Sequence, residues 1–215
     1  MTELVFILDR SGSMSGLESD TIGGFNAMIE KQKKEEGSAY VSTVLFDDRT
    51  EVIHDRLPLE NVPKLTEKEY FVRGCTALLD AVGDAIHHIG NIHKYARPED
   101  VPENTIFVIT TDGMENASSR WTYEELKRTI ERQQEKYGWE FLFLGANIDA
   151  AREAGRMGIA PERAVNYNCD SEGIARNYEG VNCAVTSIRA GSLDENWRKE
   201  IDRDFQKRGK KTNRK

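Results

Sequence analysis

The chain has 215 residues, of which 31% are charged and 38% are apolar, and its formal net charge is -7. This length predicts one domain, or one domain with an appendage, and the dense apolar runs exclude a chain that is disordered throughout. No apolar run approaches the roughly 18 residues of a membrane-spanning helix, so we expect no contact with a membrane. The segment Met1–Leu4 has no basic region and no cleavage site, and we therefore expect no signal peptide.

The cysteines indicate a reducing compartment. Cys75, Cys169 and Cys183 are odd in number and form no CxxC pair. This usage is typical of free thiols in a cytoplasmic protein, and we expect the three side chains to be small buried groups. The four histidines lack the HExxH spacing of a zinc-binding helix, so none of them is predicted to be a zinc ligand.

Apolar runs and helical patterns alternate along the chain. Residues 4–8, 106–109 and 141–144 are continuous apolar runs of strand length, typical of strands that are buried on both faces of a parallel sheet. Apolar residues at helical spacing lie between these runs, and Thr122 with Glu125 predicts a capping box at the start of the third helix. The alternation predicts an α/β fold with a doubly wound, Rossmann-like, mostly parallel sheet and helices on both faces.

One strand departs from the parallel plan. Residues 41–46 and 50–57 are separated by only three residues, a link that permits a hairpin but not a crossover helix. We therefore predict one antiparallel strand at the edge of the sheet. Residues 164–167 are predicted to form the last strand, and residues 170–191 a final amphipathic helix.

The composition changes near the C-terminus. Residues 197–215 contain nine Lys or Arg against three Asp or Glu. We predict a domain over residues 1–192, followed over residues 193–215 by a basic helix or tail that is partly disordered, with the disorder placed at residues 209–215. No aromatic-lined groove or recognition helix accompanies these charges, which argues against binding to nucleic acid.

Five oxygen-bearing side chains follow predicted strands or precede a helix. Asp9, Ser11 and Ser13 end the first strand, Thr76 lies just before the second helix, and Asp112 ends the 106–109 strand. Ligands of open α/β sheets bind at the carboxyl ends of the strands, so we expect the five to meet there. Carboxylate and hydroxyl oxygens suit Mg²⁺, Mn²⁺ or Ca²⁺. Neutral hydroxyls would leave the cation partly uncovered, so that an Asp or Glu of a partner protein can complete its shell.

This pattern resembles a known family. It is similar to the metal-ion-dependent adhesion site (MIDAS) of von Willebrand factor type A (vWA) domains, with Asp9-x-Ser11-x-Ser13 first, then Thr76, then Asp112. The resemblance covers roughly residues 3–190. It implies a central sheet with one antiparallel edge strand. It also implies that Ser11, Ser13 and Thr76 bind a metal, usually Mg²⁺, while Asp9 and Asp112 bind directly or through water. The absence of disulfides and of further domains resembles the small intracellular prokaryotic members.

Two functions are compatible with these residues. The first is a non-enzymatic, metal-dependent module that docks a carboxylate of a partner protein on the cation, and the sequence carries no signal for an oligomeric state. The alternative is a metal-assisted phosphatase or hydrolase that uses the same edge. Haloacid-dehalogenase-like phosphatases also begin with an Asp after the first strand, but they need a second Asp where this chain has Ser11. No histidine is placed as a base for Ser11 or Ser13, so we prefer the binding module.

Neighbouring polar residues have two interpretations. Asp80 is expected to be a solvated carboxylate or a neighbour of the metal ligands. Arg10, Glu115 and Asn116 lie on the same predicted loops, where they would either form the rim of a docking surface or contribute ordinary loop polarity.

Overall fold

A six-stranded sheet forms the centre of the protein in the computed structural model, which describes residues 1–212. The strands are β1 (Thr2–Asp9), β2 (Ala39–Phe46), β3 (Thr50–Pro58), β4 (Asn104–Thr111), β5 (Glu140–Gly145) and β6 (Ala164–Asn166). Their order across the sheet is β3-β2-β1-β4-β5-β6. All neighbouring strands are parallel except β2 and β3, which form the predicted antiparallel edge hairpin.

Helices cover both faces of this sheet. They are α1 (Glu18–Gln32), α2 (Leu78–Tyr95), α3 (Tyr123–Tyr137), α4 (Ala150–Arg156), α5 (Ser171–Arg189) and α6 (Lys199–Thr212). One hydrophobic cluster joins the sheet to α1, α5 and α6, and a second joins it to α2, α3 and α4. The predicted doubly wound α/β fold is therefore confirmed.

Alternating residues of β1 supply the two clusters. Leu4, Phe6 and Leu8 belong to the α1–α5 side, while Val5 and Ile7 belong to the α2–α3 side, and all five are fully buried. Burial on both faces explains the continuous apolar run in the sequence. Because β1 pairs with β2 on one side and β4 on the other, its last residue ends at the middle of the sheet edge.

The local signals for α3 are confirmed. The Thr122 side chain accepts a hydrogen bond from the backbone of Glu125, and the Glu125 carboxylate accepts from the backbone of Thr122, which completes the capping box. The helix ends at Gly138, whose φ of 65° is the left-handed conformation that glycine adopts without strain. Trp121 packs against Gly83 of α2, where a Cβ would lie only 2.2 Å from the indole ring.

The C-terminal part continues beyond α5. Trp197 and Ile201 join the hydrophobic cluster on the α5 side, so α6 packs on the domain. The predicted disorder of residues 209–215 falls in part on residues 213–215, which lie outside the described residues. Within residues 1–212, no helix is both long and apolar enough to cross a membrane.

Candidate functional site

The β1–α1 loop places three of the predicted residues. Asp9 is the last residue of β1, and its Oδ1 accepts a 2.7 Å hydrogen bond from the backbone N–H of Ser11. A short 3₁₀ turn, Gly12–Met14, then brings Ser13 back beside Ser11, with 3.1 Å between the two hydroxyl oxygens. Met14, the last residue of the turn, is buried, so its side chain packs inside the protein and holds the turn in place.

Asp112 reaches the same point from the neighbouring strand. It follows Thr111, the last residue of β4, and the Ser13 hydroxyl donates a 2.5 Å hydrogen bond to its Oδ1. The pairing of β1 with β4, in which Leu8 lies opposite Thr110, sets this meeting of two segments 99 residues apart. The carboxyl ends of two central parallel strands therefore supply both carboxylates of the site.

Thr76 arrives from a third loop, before α2. Its backbone N–H donates to the Asn116 side chain at 2.9 Å, and the Asn116 N–H donates back to the Thr76 carbonyl at 3.0 Å. A Cβ built on Gly113 would lie 3.3 Å from Oγ1 of Thr76 and 3.4 Å from Oγ of Ser13. Both hydroxyls therefore face the same small space, and the structure brings all five predicted residues together.

Two of the five side chains are buried carboxylates. Asp9 is 1% exposed and Asp112 is 2% exposed. Burial raises the pKa of both carboxyls, although hydrogen bonds from Ser11 and Thr111 to Asp9, and from Ser13 to Asp112, act in the opposite direction. Throughout the described part of the chain, no lysine, arginine or histidine forms an ion pair with either aspartate.

The donor set fits a hard divalent cation. Two carboxylates and three hydroxyls offer only oxygen, the preferred donor of Mg²⁺, Mn²⁺ and Ca²⁺. Within residues 1–212, no group of three or more His, Cys, Asp or Glu side chains is placed to hold a metal, so a cage built from these residue types alone is excluded there. A metal bound at this edge would therefore need the hydroxyls among its ligands.

Three supporting residues were missed by the sequence analysis. The Thr111 hydroxyl donates to Oδ2 of Asp9, the Tyr70 hydroxyl donates to the Asp9 carbonyl, and Sγ of Cys169 lies 3.5 Å from Oδ2 of Asp112. Thr111 adjoins Asp112 in the sequence, and that adjacency was a usable signal. Tyr70 and Cys169 lie in remote loops, and no local pattern marks them.

Arg10 is not part of a docking rim. Its side chain is fully buried, and its Nε donates to Oδ2 of Asp47, itself fully buried, at 2.9 Å. Arg73 reaches the same carboxylate oxygen at 2.7 Å, and Arg10 also pairs with Glu51 at 2.7 Å. Two guanidiniums and a buried carboxylate thus join the β1–α1 loop to the β2–β3 turn and the loop before α2.

Asp80 is structural, not solvated. It is 5% exposed, and its oxygens accept hydrogen bonds from the backbone N–H groups of Ser119, Arg120 and Trp121. Glu115 accepts from the N–H of Leu79 in the first turn of α2. These hydrogen bonds hold the loop between β4 and α3 against α2. They explain the positions of both carboxylates without a metal.

The expectation of three buried thiols was wrong. Cys75 and Cys183 are exposed, and Cys169 is half-buried; all three are free. Burial, together with the nearby Asp112 carboxylate, raises the pKa of the Cys169 thiol to about 12.

Comparison with known proteins shows the fold. No protein-family model and no curated protein matches the sequence. Among solved structures, the von Willebrand factor type A protein from Catenulispora acidiphila superposes with a TM-score of 0.56 at 14% identity, over 86% of this chain and 42% of that one. The chain has a vWA-like fold.

Two further structures share this vWA-like fold. A D319A mutant of the PilB minor pilin from Streptococcus sanguinis gives a TM-score of 0.59 at 12% identity, over 87% of this chain and 62% of the pilin. Proximal thread matrix protein 1 from the mussel byssus, solved with zinc in its MIDAS motif, gives 0.54 at 15% identity, over 84% and 44%. This chain therefore spans only 42–62% of the length of these vWA-like relatives.

Proposed function

We propose that this protein is a metal-dependent protein-binding module. Asp9, Ser11, Ser13, Thr76 and Asp112 would hold a divalent cation, with Mg²⁺ the proposed ion and Mn²⁺ or Ca²⁺ as substitutes. The observation that carries the proposal is the convergence at the sheet edge of three hydroxyls and two buried carboxylates that have no cationic partner among the described residues. The zinc-occupied MIDAS of the byssus protein, which has a similar fold, supports the assignment of a divalent cation.

The exposure of the residues suits docking from outside. Ser13 and its neighbour Gly12 are exposed, whereas Asp9, Ser11, Thr76 and Asp112 are buried behind them. When bound, the cation would supply electrophilic character for an incoming anion. The chain's own groups hold the ligand oxygens in place through hydrogen bonds to neighbouring loops. An Asp or Glu of a partner protein is the anion we propose.

The alternative, metal-assisted hydrolysis, lacks a visible base. The Ser11 and Ser13 hydroxyls contact each other and Asp112, and within the described residues neither is hydrogen-bonded to a histidine. His54 instead shares a hydrogen bond with Thr43 inside the β2–β3 hairpin, and His88 pairs with Asp55. A non-enzymatic role therefore remains the proposal.

The three free thiols support a reducing compartment such as the cytoplasm.

Metal titration tests the proposal directly. Isothermal calorimetry with Mg²⁺ and Mn²⁺ compares the wild type with Asp112→Ala and Ser11→Ala, and with Ser15→Ala as a control in the same exposed loop. We expect the first two variants to lose binding and the control to keep it. Capture of partners from native lysate, with Mg²⁺ and then with EDTA, tests docking. Equal metal affinity in all four proteins would overturn the proposal.

A further inference from the structure

One residue ties together two of the loops that carry candidate metal ligands. Oδ1 of Asn116 accepts a 2.9 Å hydrogen bond from the backbone N–H of Thr76, and the backbone N–H of Asn116 donates at 3.0 Å to the carbonyl of Thr76. Asn116 follows Asp112 on the loop between β4 and α3. This reciprocal pair therefore joins the loop of Thr76 directly to the loop of Asp112.

Thr76 depends on this pair because its own segment is irregular. It lies just before α2, which begins at Leu78, and outside any strand. Within the part of the chain that the structure describes, both the N–H and the carbonyl of Thr76 bond to Asn116 and to no other residue. Thr76 is 4% exposed, so these two backbone groups need a partner inside the protein.

A separate set of hydrogen bonds holds the β4–α3 loop against α2. Glu115 accepts from the backbone N–H of Leu79 at 2.9 Å through Oε2, and from the N–H of Ser118 at 2.7 Å through Oε1. The Ser118 hydroxyl accepts from the N–H of Asp80 at 3.0 Å and donates to Glu115 at 2.8 Å. None of these bonds involves a candidate metal ligand, so they can be broken separately from the pair.

The exposure of Asn116 separates its effect on the fold from its effect on the site. Its side chain is exposed, and substitutions of exposed side chains usually change the stability of a protein little. Loss of its Oδ1 would instead release the backbone of Thr76, whose hydroxyl shares a small space with that of Ser13 beside Gly113. Residues that orient metal ligands commonly change metal affinity by roughly 10–100-fold.

We propose that Asn116 is a positioning residue of the candidate metal site, and that it sets the affinity for the divalent cation by holding Thr76 in place relative to Asp112. The inference rests on the proposed function, because it requires a cation at this site. Asn116 acts through the backbone of Thr76 and is not itself a ligand.

Titration of Mn²⁺ into three variants tests this role. Isothermal calorimetry in about 0.5 M NaCl, which screens exposed charges, compares the wild type with Asn116→Ala, Asn116→Asp and Ser118→Ala. Asn116→Ala removes the acceptor, and we expect Mn²⁺ to bind about tenfold more weakly. Asn116→Asp keeps an acceptor oxygen and should bind Mn²⁺ about as tightly as the wild type. Ser118→Ala breaks loop contacts without touching the pair and should also keep the wild-type affinity.

Urea denaturation in EDTA provides the control for folding. The wild type and Asn116→Ala should unfold at similar urea concentrations, because the loop keeps its contacts with α2 in both proteins. A large drop in the unfolding midpoint of Asn116→Ala would show a role in the fold and would overturn the positioning role.

The calorimetric outcomes distinguish this role from the proposed function. Unchanged Mn²⁺ affinity in Asn116→Ala, an equal loss in Ser118→Ala, or a failure of Asn116→Asp to restore binding overturns the role of Asn116 and leaves the proposed metal site intact. Failure of the wild type to bind Mn²⁺ overturns both claims.

Discussion

The Thr111 hydroxyl donates a 2.6 Å hydrogen bond to Oδ2 of Asp9, which links the last residues of the neighbouring parallel strands β4 and β1. The backbone N–H of Ser11 donates to Oδ1, so both oxygens of this buried carboxylate accept a hydrogen bond. The Asp9 carboxylate is therefore held in one orientation at the floor of the candidate metal site.

Thr111→Val tests this link. The substitution keeps the shape of the side chain but removes the donor, so we expect the free energy of unfolding to fall by about 1–3 kcal/mol. Urea denaturation in EDTA measures the change. Thr110→Val is the matched control, since this neighbouring buried threonine makes no hydrogen bond to Asp9, and a similar loss in both variants would contradict the role of Thr111.

Gly113→Ala tests the space between the hydroxyls. The new Cβ would lie 3.3 Å from Oγ1 of Thr76 and 3.4 Å from Oγ of Ser13, and would push ligands apart. We expect Mn²⁺ affinity to fall on the order of tenfold, the effect typical of disturbing the surroundings of metal ligands. Gly155→Ala, where a Cβ meets open space in α4, should leave the affinity unchanged.

Asp47→Asn tests the buried ion pair. The substitution removes the buried carboxylate 2.9 Å from Nε of Arg10 and leaves that guanidinium only its pair with the half-exposed Glu51, so we expect a loss of about 1–3 kcal/mol in the free energy of unfolding. Glu124→Gln breaks the exposed pair with Arg128 and should change that free energy by less than about 0.5 kcal/mol. Equal losses from the two substitutions in urea denaturation would show that the buried Asp47–Arg10 pair stabilises the fold no more than an exposed pair does.

His54 predicts a pH dependence of folding. Burial is the main cause that lowers its pKa in the folded state, with Glu69 acting weakly in the opposite direction. The unfolded chain therefore binds a proton first, and stability should decline as the pH falls below about 6.5, levelling off below the folded pKa. His54→Gln should remove this part of the decline between pH 7 and pH 5. A variant that retains the full slope would exclude His54 as its source.

The metal should matter most at neutral pH. Burial raises the folded pKa of Asp9 and Asp112 above the usual value, so without metal their contribution to stability is present at low pH and is lost as the pH rises through the folded pKa. Saturating Mn²⁺ should therefore raise the Tm more at pH 7 than at pH 4.5. Asp112→Ala should show no such increment, and equal increments in the wild type at both pH values would contradict this charge argument.

The strands and the five candidate ligands could be predicted because their signals are local. A continuous apolar run marks β1, and Asp9 follows it directly. Thr122 and Glu125, three residues apart, mark the start of α3. Knowing that ligands lie at the carboxyl ends of strands was then enough to group residues that are distant in sequence.

The supporting contacts could not be predicted in this way. Arg10 resembles an exposed loop residue in the sequence, and only the approach of the β2–β3 turn buries it against Asp47. Cys169 lies 57 residues from Asp112, and its contact depends on how the last strand and helix pack. Such pairings depend on tertiary geometry and not on local spacing.

A crystal soaked in Mn²⁺, with data collected at the manganese absorption edge, tests the central claim most directly. The account predicts one anomalous difference peak bounded by the hydroxyls of Ser11, Ser13 and Thr76 and by the Asp112 carboxylate. An empty map at this position, with Mn²⁺ at saturating concentration in the soak, would contradict it.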